Sequence, residues 1–408
     1  MVILYVSKLL SQNKFNIIYN LSRIKPQQQA QKFHYLLASG LAEHENVELT
    51  LLSGLPISQN NAPRMLWGQS SEIENKMVFK YLAHLNVPAV GNIFSFCAAF
   101  FAATKWCITN VNKKTQKNLI CDVLNLSISI AAKTAAGLFG VKTIGIVTDI
   151  PNYMKEYNKE KKGPFKALII YLYTVICTYI LRTYDGYVFL TNQMNELINP
   201  NGKPSIILEG LVDSNMVRKS NLLIDKYKEK IVIYAGALYE KYGVKKLIEA
   251  FLKVTANQVR LWLFGSGDLE DQIIQFTQMD NRIRYFGVVH NQVVIESEIR
   301  ATLLVNPRPS SEEFTKYSFP SKIMEYMVSG TPVLTTKLPG IPEEYYNYVY
   351  LFEDESVEGM AKTLERILEL PKEELHAKGA AAKEFVLREK NNIRQASRIL
   401  ELIENMDR

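Results

Sequence analysis

The residues best suited to chemistry lie between Asn306 and Tyr345, in the run NPRPSSEEFTKYSFPSKIMEYMVSGTPVLTTKLPGIPEEY. Ser318-Phe319-Pro320-Ser321 puts Ser and Pro at a helix start, Lys322 to Val328 fills two turns, and Ser329-Gly330 stops them. Pro332 to Thr336 then reads as a short buried strand, and Leu338-Pro339-Gly340 as a turn. A helix N-terminus gathers unpaired N–H groups and the positive end of the helix dipole, which suits a phosphate. Lys322 in the first turn has the wrong charge for that dipole, and a bound anion would explain it. Glu325 follows at a spacing that can share its face.

Two series of strands and helices must position such a site. The first has strands at Val2–Ser7, Val47–Leu52, Met77–Leu82, Leu119–Leu124, Val141–Thr148, Tyr187–Leu190 and Ser205–Leu208, with helices at Gln27–Glu43 and Ser127–Phe139. Alternation of this kind implies a parallel sheet covered on both faces, with ligands beyond the C-terminal strand ends. The loops at Lys8–Lys25, Asn125 and Asp149–Tyr153 fall there. Asp149, at a strand end, is placed either to face a ligand beyond the sheet or merely to cap the next turn. No Gly-x-Gly-x-x-Gly follows the first strand, which argues against a dinucleotide site. The second series opens with Lys230–Ala235, the glycine turn Gly236–Gly243 and a helix over Val244–Val254. Next come Leu261–Phe264 with Gly265-Ser266-Gly267, then Ile283–Gly287, Leu303–Pro307, Tyr348–Phe352 and the helix Val357–Leu368. His376–Met406 is charged and amphipathic. The expected layout is a domain over 1–212, a polar linker over Arg218–Glu229, a second domain over 229–385 and a terminal helix over 386–408.

Glu325-Tyr-Met-Val-Ser-Gly-Thr-Pro-Val333 resembles the second half of the donor-binding motif of family 4 glycosyltransferases, and the SFPSK…EYM…SGTPV form resembles enzymes of bacterial surface-polysaccharide assembly. The resemblance is strong over about 205–405 and mainly topological before that. It implies a GT-B fold, α/β with two Rossmann-like domains facing across a cleft, and transfer with retention from a nucleoside-diphosphate sugar to a glycan or lipid-linked acceptor. It further implies that Glu325 binds the ribose, that Ser318, Phe319, Ser321 and Lys322 border the diphosphate and sugar, and that Gly265 and Gly267 make room for the nucleotide. Gly236 and Lys241 fall in the segment whose Arg and Lys hold the diphosphate in that family. The chain departs from the pattern at three points: Tyr317 stands for the first glutamate, Ala237 for that Arg and Tyr242 for that Lys. Arg308, brought in by a longer loop after Pro307, is expected to replace the lost cations together with Lys322, or else to pair with Glu312 or Glu313 at the surface. The departures leave a non-catalytic partner subunit of another transferase as an alternative, and the fold leaves a nucleotide-sugar epimerase.

Composition narrows the classes. Four cysteines (Cys97, Cys107, Cys121, Cys177) without paired spacing and five scattered histidines argue for a reducing compartment, the cytoplasm, and against a disulfide frame, zinc or any metal cofactor. The first residues carry no signal-peptide pattern. Residues 1–212 hold 21 Lys and Arg against 12 Asp and Glu, a net +9; the remainder of the chain's 48 and 41 is 27 against 29, a net −2. A basic first half suggests an anionic partner such as the inner face of the cell membrane. Nucleic acid is not expected, since no helix-turn-helix, zinc or aromatic-strand signature appears. Two greasy stretches, Phe94–Ala103 and Ala167–Leu181, read equally as core helices or as helices at a membrane surface, the second flanked by Lys159, Lys161, Lys162 and Lys166.

Overall fold

The computed structural model describes residues 1–57, 65–87, 90–150, 175–214, 220–256 and 258–406. They form two compact units, Met1–Leu211 with Asn392–Arg408, and Val212–Asn391.

The first unit runs β1 (Val2–Ser7), α1 (Gln12–Leu21), α2 (Gln28–Ala42), β2 (Glu48–Ser53), β3 (Leu66–Trp67), β4 (Ser70–Glu74), β5 (Met77–Tyr81), β6 (His84–Leu85), α3 (Val90–Asn110), β7 (Lys117–Asp122), α4 (Leu126–Leu138), β8 (Lys142–Val147), β9 (Gly186–Phe189), α5 (Asn192–Ile198) and β10 (Ser205–Ile207). The main sheet has the order β10-β9-β8-β7-β1-β2-β5-β4. All its neighbours are parallel except the edge pair β4 and β5. β1 is central because every residue of VILYVS is buried, which only an inner strand covered on both faces can satisfy. One face packs Ile3, Tyr5, Leu51, Ile120 and Ile144 against Leu37 and Leu41 of α2 and against Ile399 and Ile403 near the C-terminus.

Lys8–Lys25 is not all loop. It contains α1, started by the Ser11 hydroxyl, which accepts from Lys14 N at 3.0 Å. The first greasy stretch lies inside α3, which buries Ala99, Ala103, Trp106 and Cys107 and packs on α4. Ile93, Phe101 and Ile108 stay exposed on it. α3 is long and apolar enough to cross a membrane by length and composition alone. Of the second stretch, residues 167–174 lie outside the described residues, as do Lys159, Lys161, Lys162 and Lys166. Residues 175–181 are helical, burying Cys177 and Leu181.

The second unit runs β11 (Lys230–Ala235), α6 (Val244–Lys253), β12 (Val259–Phe264), α7 (Glu270–Met279), β13 (Ile283–Gly287), α8 (Asn291–Arg300), β14 (Leu303–Asn306), α9 (Ser321–Ser329), β15 (Val333–Thr336), β16 (Tyr350–Phe352), α10 (Val357–Leu368) and α11 (Lys372–Glu389). Its six strands are parallel, in the order β13-β12-β11-β14-β15-β16. α6 and α10 cover one face, and α9 and α11 the other. Tyr326 ties α9 to the end of β11, its hydroxyl accepting from Ala235 N at 2.9 Å and donating to Ala235 O at 3.2 Å.

Two boundaries differ from the expected layout. The polar stretch read as a linker is fastened to the second unit in its described part. Asn221 Nδ2 donates to Ser329 O at 2.8 Å, and Lys226 Nζ donates to Ile299 O and Ala301 O at 2.8 and 2.9 Å. The chain rejoins the first unit at Asn392 rather than 386, because Phe385 and Val386 still pack in the second core and α11 runs to Glu389. A last helix, α12 (Asn392–Asn405), then lies against α2.

Candidate active site

The strand order of the second unit turns back between β11 and β14, and the loops leaving those two strands hold most of the residues singled out above. After β11 the chain passes Gly236 to Tyr242. Gly236 N donates to Phe264 O and Leu238 N to Ser266 O, both at 2.9 Å, so this loop is laced to the one after β12. At Gly265, with φ of 120°, an added Cβ would lie 1.8 Å from Gly236 O; at Gly267 it would lie 2.3 Å from Leu238 O. Only glycine fits either position. The place where a Cβ would sit at each of these two glycines is filled by neighbouring backbone. Glu270 holds the turn: its Oε1 accepts from Gly267 N and its Oε2 from the Tyr285 hydroxyl, each at 3.0 Å.

Gly236 has a different role. A Cβ there would fall 2.3 Å from Lys322 Cε and 3.2 Å from its Nζ. The half-buried Lys322 side chain thus runs from the first turn of α9 across the bare backbone of the loop. Glu325, one turn on, is exposed, as is Ser321. Ser318 is half-buried and donates its hydroxyl to Phe314 O at 3.0 Å. The Phe319 ring is buried, 5.4 Å from that of Tyr345, and supports α9 from within the core.

At the far end of the same loop stands Arg308, just beyond β14. Its guanidinium carbon lies 4.7 Å from the Tyr242 ring centroid and 5.4 Å from that of Phe314, with the two rings 6.0 Å apart. Its Nε is buried and makes no hydrogen bond. Burial draws its pKa down, and the Tyr242 and Tyr234 hydroxyls oppose that. The alternative of a surface pair with Glu312 or Glu313 is not what forms; the cation lies over the two aromatic rings. It does so at the very tyrosine that stands where the resemblance calls for a lysine. Tyr234 donates to Ala237 O at 2.8 Å, and a Cβ on Gly243 would meet Pro307 O at 2.0 Å, so the β11 and β14 loops are packed together. Lys241 points back over Tyr239 and Tyr242, 5.7 and 5.4 Å from their ring centroids. The unit thus brings Lys322, Arg308 and Lys241 to one loop of otherwise neutral residues and Glu240.

In the first unit Asp149 follows β8, with Oδ1 accepting from Ile150 N at 2.8 Å. Burial raises its carboxyl pKa, and that N–H works against the rise. Residues 151–174, Tyr153 of the expected loop among them, lie outside the described residues. Sequence reasoning missed a buried polar chain at the ends of β1 and β7. Tyr5 Oη lies 2.6 Å from His34 Nδ1, and His34 Nε2 lies 3.2 Å from Asp122 Oδ2. Nothing in their spacing, 29 and 88 residues apart, could have joined them. Among the described residues no group of His, Cys, Asp and Glu could hold a metal ion.

Residues 229–370 match the family described as Glycosyl transferases group 1. Among curated proteins, the chain is similar to N-acetyl-alpha-D-glucosaminyl L-malate synthase of Bacillus anthracis, 28% identical over 210 residues. That match covers 48% of this chain and 52% of the relative, so it spans about half the length of each. Among solved structures, the chain is similar to an alpha,alpha-trehalose-phosphate synthase from Burkholderia xenovorans (TM-score 0.64, 11% identity, 99% of both chains). Anabaena HepE in complex with UDP is comparable (TM-score 0.63, 14% identity, 99% of this chain and 100% of that one). So is sucrose-phosphate synthase from Thermosynechococcus elongatus (TM-score 0.62, 13% identity, 100% and 99%). The fold is therefore GT-B, and the second unit carries a group 1 glycosyltransferase domain.

Proposed function

We infer that this chain is a retaining glycosyltransferase of family 4, moving a sugar from a nucleoside-diphosphate donor to a hydroxyl of a glycan or lipid-linked saccharide in surface-polysaccharide assembly. The observation that carries the reading is Lys322 lying across the bare backbone at Gly236, with Arg308 clamped at the other end of the same loop. A departing nucleoside diphosphate needs compensation for the charge that develops on it. Two fixed cations and the first-turn N–H groups of α9 supply that compensation without requiring a metal ion. Glu325, exposed one turn into α9, is suited to accept hydrogen bonds from the ribose hydroxyls. HepE, alike in fold, is described in complex with UDP and with UDP-glucose, which makes uridine donors the first to try. Asp149 would orient the acceptor hydroxyl, and the basic first half would bring the enzyme to the inner face of the membrane.

A panel of UDP-, GDP- and other activated sugars tests this directly. One donor should raise the melting temperature of the chain and be consumed in the presence of a saccharide acceptor, giving a product whose anomeric configuration by NMR equals the donor's. Inversion would remove the family 4 assignment. A donor that binds and is neither transferred nor hydrolysed would favour a non-catalytic partner subunit, and interconversion of two free nucleotide sugars an epimerase.

A further inference from the structure

We propose that Tyr242 and Phe314 are positioning residues, holding the Arg308 guanidinium over their rings so that its N–H groups stay free for the departing diphosphate. The diphosphate rests on the transferase reading above; the hold on Arg308 rests on the geometry of the second unit itself.

An arginine taken out of water is ordinarily paired with a carboxylate, whose two oxygens engage the N–H fork and cancel the charge. Arg308 is held otherwise. Its Nε is buried without a hydrogen bond, and its side chain makes no hydrogen bond or ion pair with a described residue. What it has instead is the Tyr242 ring centroid 4.7 Å from its guanidinium carbon and that of Phe314 at 5.4 Å. The two rings stand 6.0 Å apart with 67° between their planes, so the cation meets both. A ring attracts a cation through the charge distribution of its π face; it neither cancels the charge nor takes up the fork as a carboxylate does. That is the hold a cation needs if it is to meet an anion later. An unpaired buried N–H is costly, and an incoming phosphate oxygen would complete it.

The backbone around the two rings is fixed. Arg308 O accepts from the buried Thr336 hydroxyl, and Ser310 N donates to Glu355 Oε2 at 3.0 Å. Thr315, fully buried, donates its hydroxyl to Glu312 O and so holds the turn that carries Phe314. On the other side Tyr242 N donates to Tyr239 O at 3.0 Å. The next residue, Gly243, has φ of 75°, and a Cβ there would lie 2.0 Å from Pro307 O and 3.3 Å from Pro309 Cδ. The two prolines that flank Arg308 therefore pack on the residue that follows Tyr242. One contact places both side chains. The tyrosine that stands where the resemblance calls for a lysine and the arginine carried in by the longer loop thus read as a single exchange of one cation for another.

Two measurements on the full chain test this. In the arginine Nε–H NMR spectrum without ligand, the Arg308 signal, assigned by its loss in Arg308→Ala, should be rigid and slow to exchange with water. Tyr242→Leu should speed that exchange by about tenfold, and Tyr242→Phe, which keeps a ring, should leave it slow. In steady-state kinetics on the best donor of the panel, Tyr242→Leu should lower kcat by about ten- to hundredfold with the donor KM little changed, and Tyr242→Phe should keep most of the turnover. Introduced into Arg308→Ala, Tyr242→Leu should cost nothing more, because it acts through the guanidinium; a merely structural role would add its own loss. Lys241 also lies 5.4 Å from the Tyr242 centroid, so the same cycle is run with Phe314→Leu, which decides as well should Tyr242→Leu not fold. An Arg308 signal indifferent to removal of either ring, or losses that add to that of Arg308→Ala at both positions, overturns the proposal and leaves the transferase reading standing. A rigid Arg308 loosened by these variants, in a chain that consumes no nucleotide sugar, keeps the hold on the cation and defeats the transferase reading.

Discussion

The two units are built on the same plan and treat the turning point of their sheets in opposite ways. In the second unit the β11 and β14 loops are fixed by backbone-to-backbone packing through Gly243, Gly265 and Gly267, and cations are laid over the result. In the first unit the polar groups at β1 and β7 are buried and satisfy each other, Tyr5 with His34 and His34 with Asp122. A backbone-lined shelf with cations at both ends suits a ligand whose charged part is always the same, as a diphosphate is. A rigid, self-satisfied network offers no such shelf. On the proposed function, the second unit would take the donor and the first unit the acceptor.

The sharpest way to break that comparison is Arg308→Ala. If the cations of the second unit stabilise the departing diphosphate, turnover should fall by about 10²–10³, with donor affinity suffering less. Lys at this position should not rescue, because the planar guanidinium is what lies over the Tyr242 and Phe314 rings. Steady-state kinetics on the best donor of the panel checks both statements. Near-normal turnover in Arg308→Ala would pass the role to Lys241 or to backbone amides, and the contrast between the units would lose its electrostatic half.

The legibility of the sequence follows the same division. Strands such as Val2–Ser7 and Lys230–Ala235 were plain, because a fully buried strand is a continuous apolar run. α9 was plain because its start, its apolar face and the Gly330 stop, at φ of 74°, are all local. β4 was not, since an edge strand with its side chains mostly exposed shows no apolar alternation. α1 was missed because its helix start depends on one capping serine and only Ile18 of its residues is buried. α3 ran past the greasy stretch because Thr109 and Asn110 bond back to Lys105 O and Trp106 O, which polar residues in a sequence do not announce. In the site, the types of Lys322 and Arg308 were readable, but their contacts with Gly236 and Tyr242 join positions 86 and 66 apart, which no local pattern encodes. What fills the space around Phe319, Gly265 and Gly267 likewise comes from elsewhere in the chain, which their local sequence does not show.

A smaller effect sharpens the donor side. Glu325→Ala should raise the donor's dissociation constant by about ten- to hundredfold, the cost of losing a charged hydrogen-bond partner being roughly 1.5–3 kcal/mol. Turnover at saturating donor should change much less than in Arg308→Ala, since ribose contacts are already made in the ground state. Calorimetry with the nucleotide diphosphate, alongside a melting curve to show that the variant folds, is sufficient. An unchanged affinity would remove Glu325 from the site and leave Ser321, Lys322 and the first-turn N–H groups as the ligand contacts assigned to α9.

The smallest expected effect concerns what the first unit does with its excess charge and its apolar helix. Residues 1–212 carry a net +9 and the rest −2. On α3, Ala99, Ala103, Trp106 and Cys107 face inward, while Ile93, Phe101 and Ile108 lie 65%, 68% and 56% exposed, with Lys105 among them. Exposed apolar residues spaced along one helix and joined by a lysine are the pattern of a surface that rests on lipid headgroups. Fully burying such a side chain is worth about 1.5–3 kcal/mol, and shallow insertion realises only part of that. Replacing Ile93 and Phe101 by Ser should therefore lower partitioning onto anionic vesicles by about tenfold, and added salt should lower it further by screening the basic half. The second unit, near neutral overall, gives no reason to expect the same binding. Vesicle co-sedimentation at low and high salt is the measurement. If the wild-type chain ignores anionic vesicles at low salt, the membrane role falls. If binding survives Ile93→Ser with Phe101→Ser yet vanishes with salt, the attachment is electrostatic and α3 is not its contact.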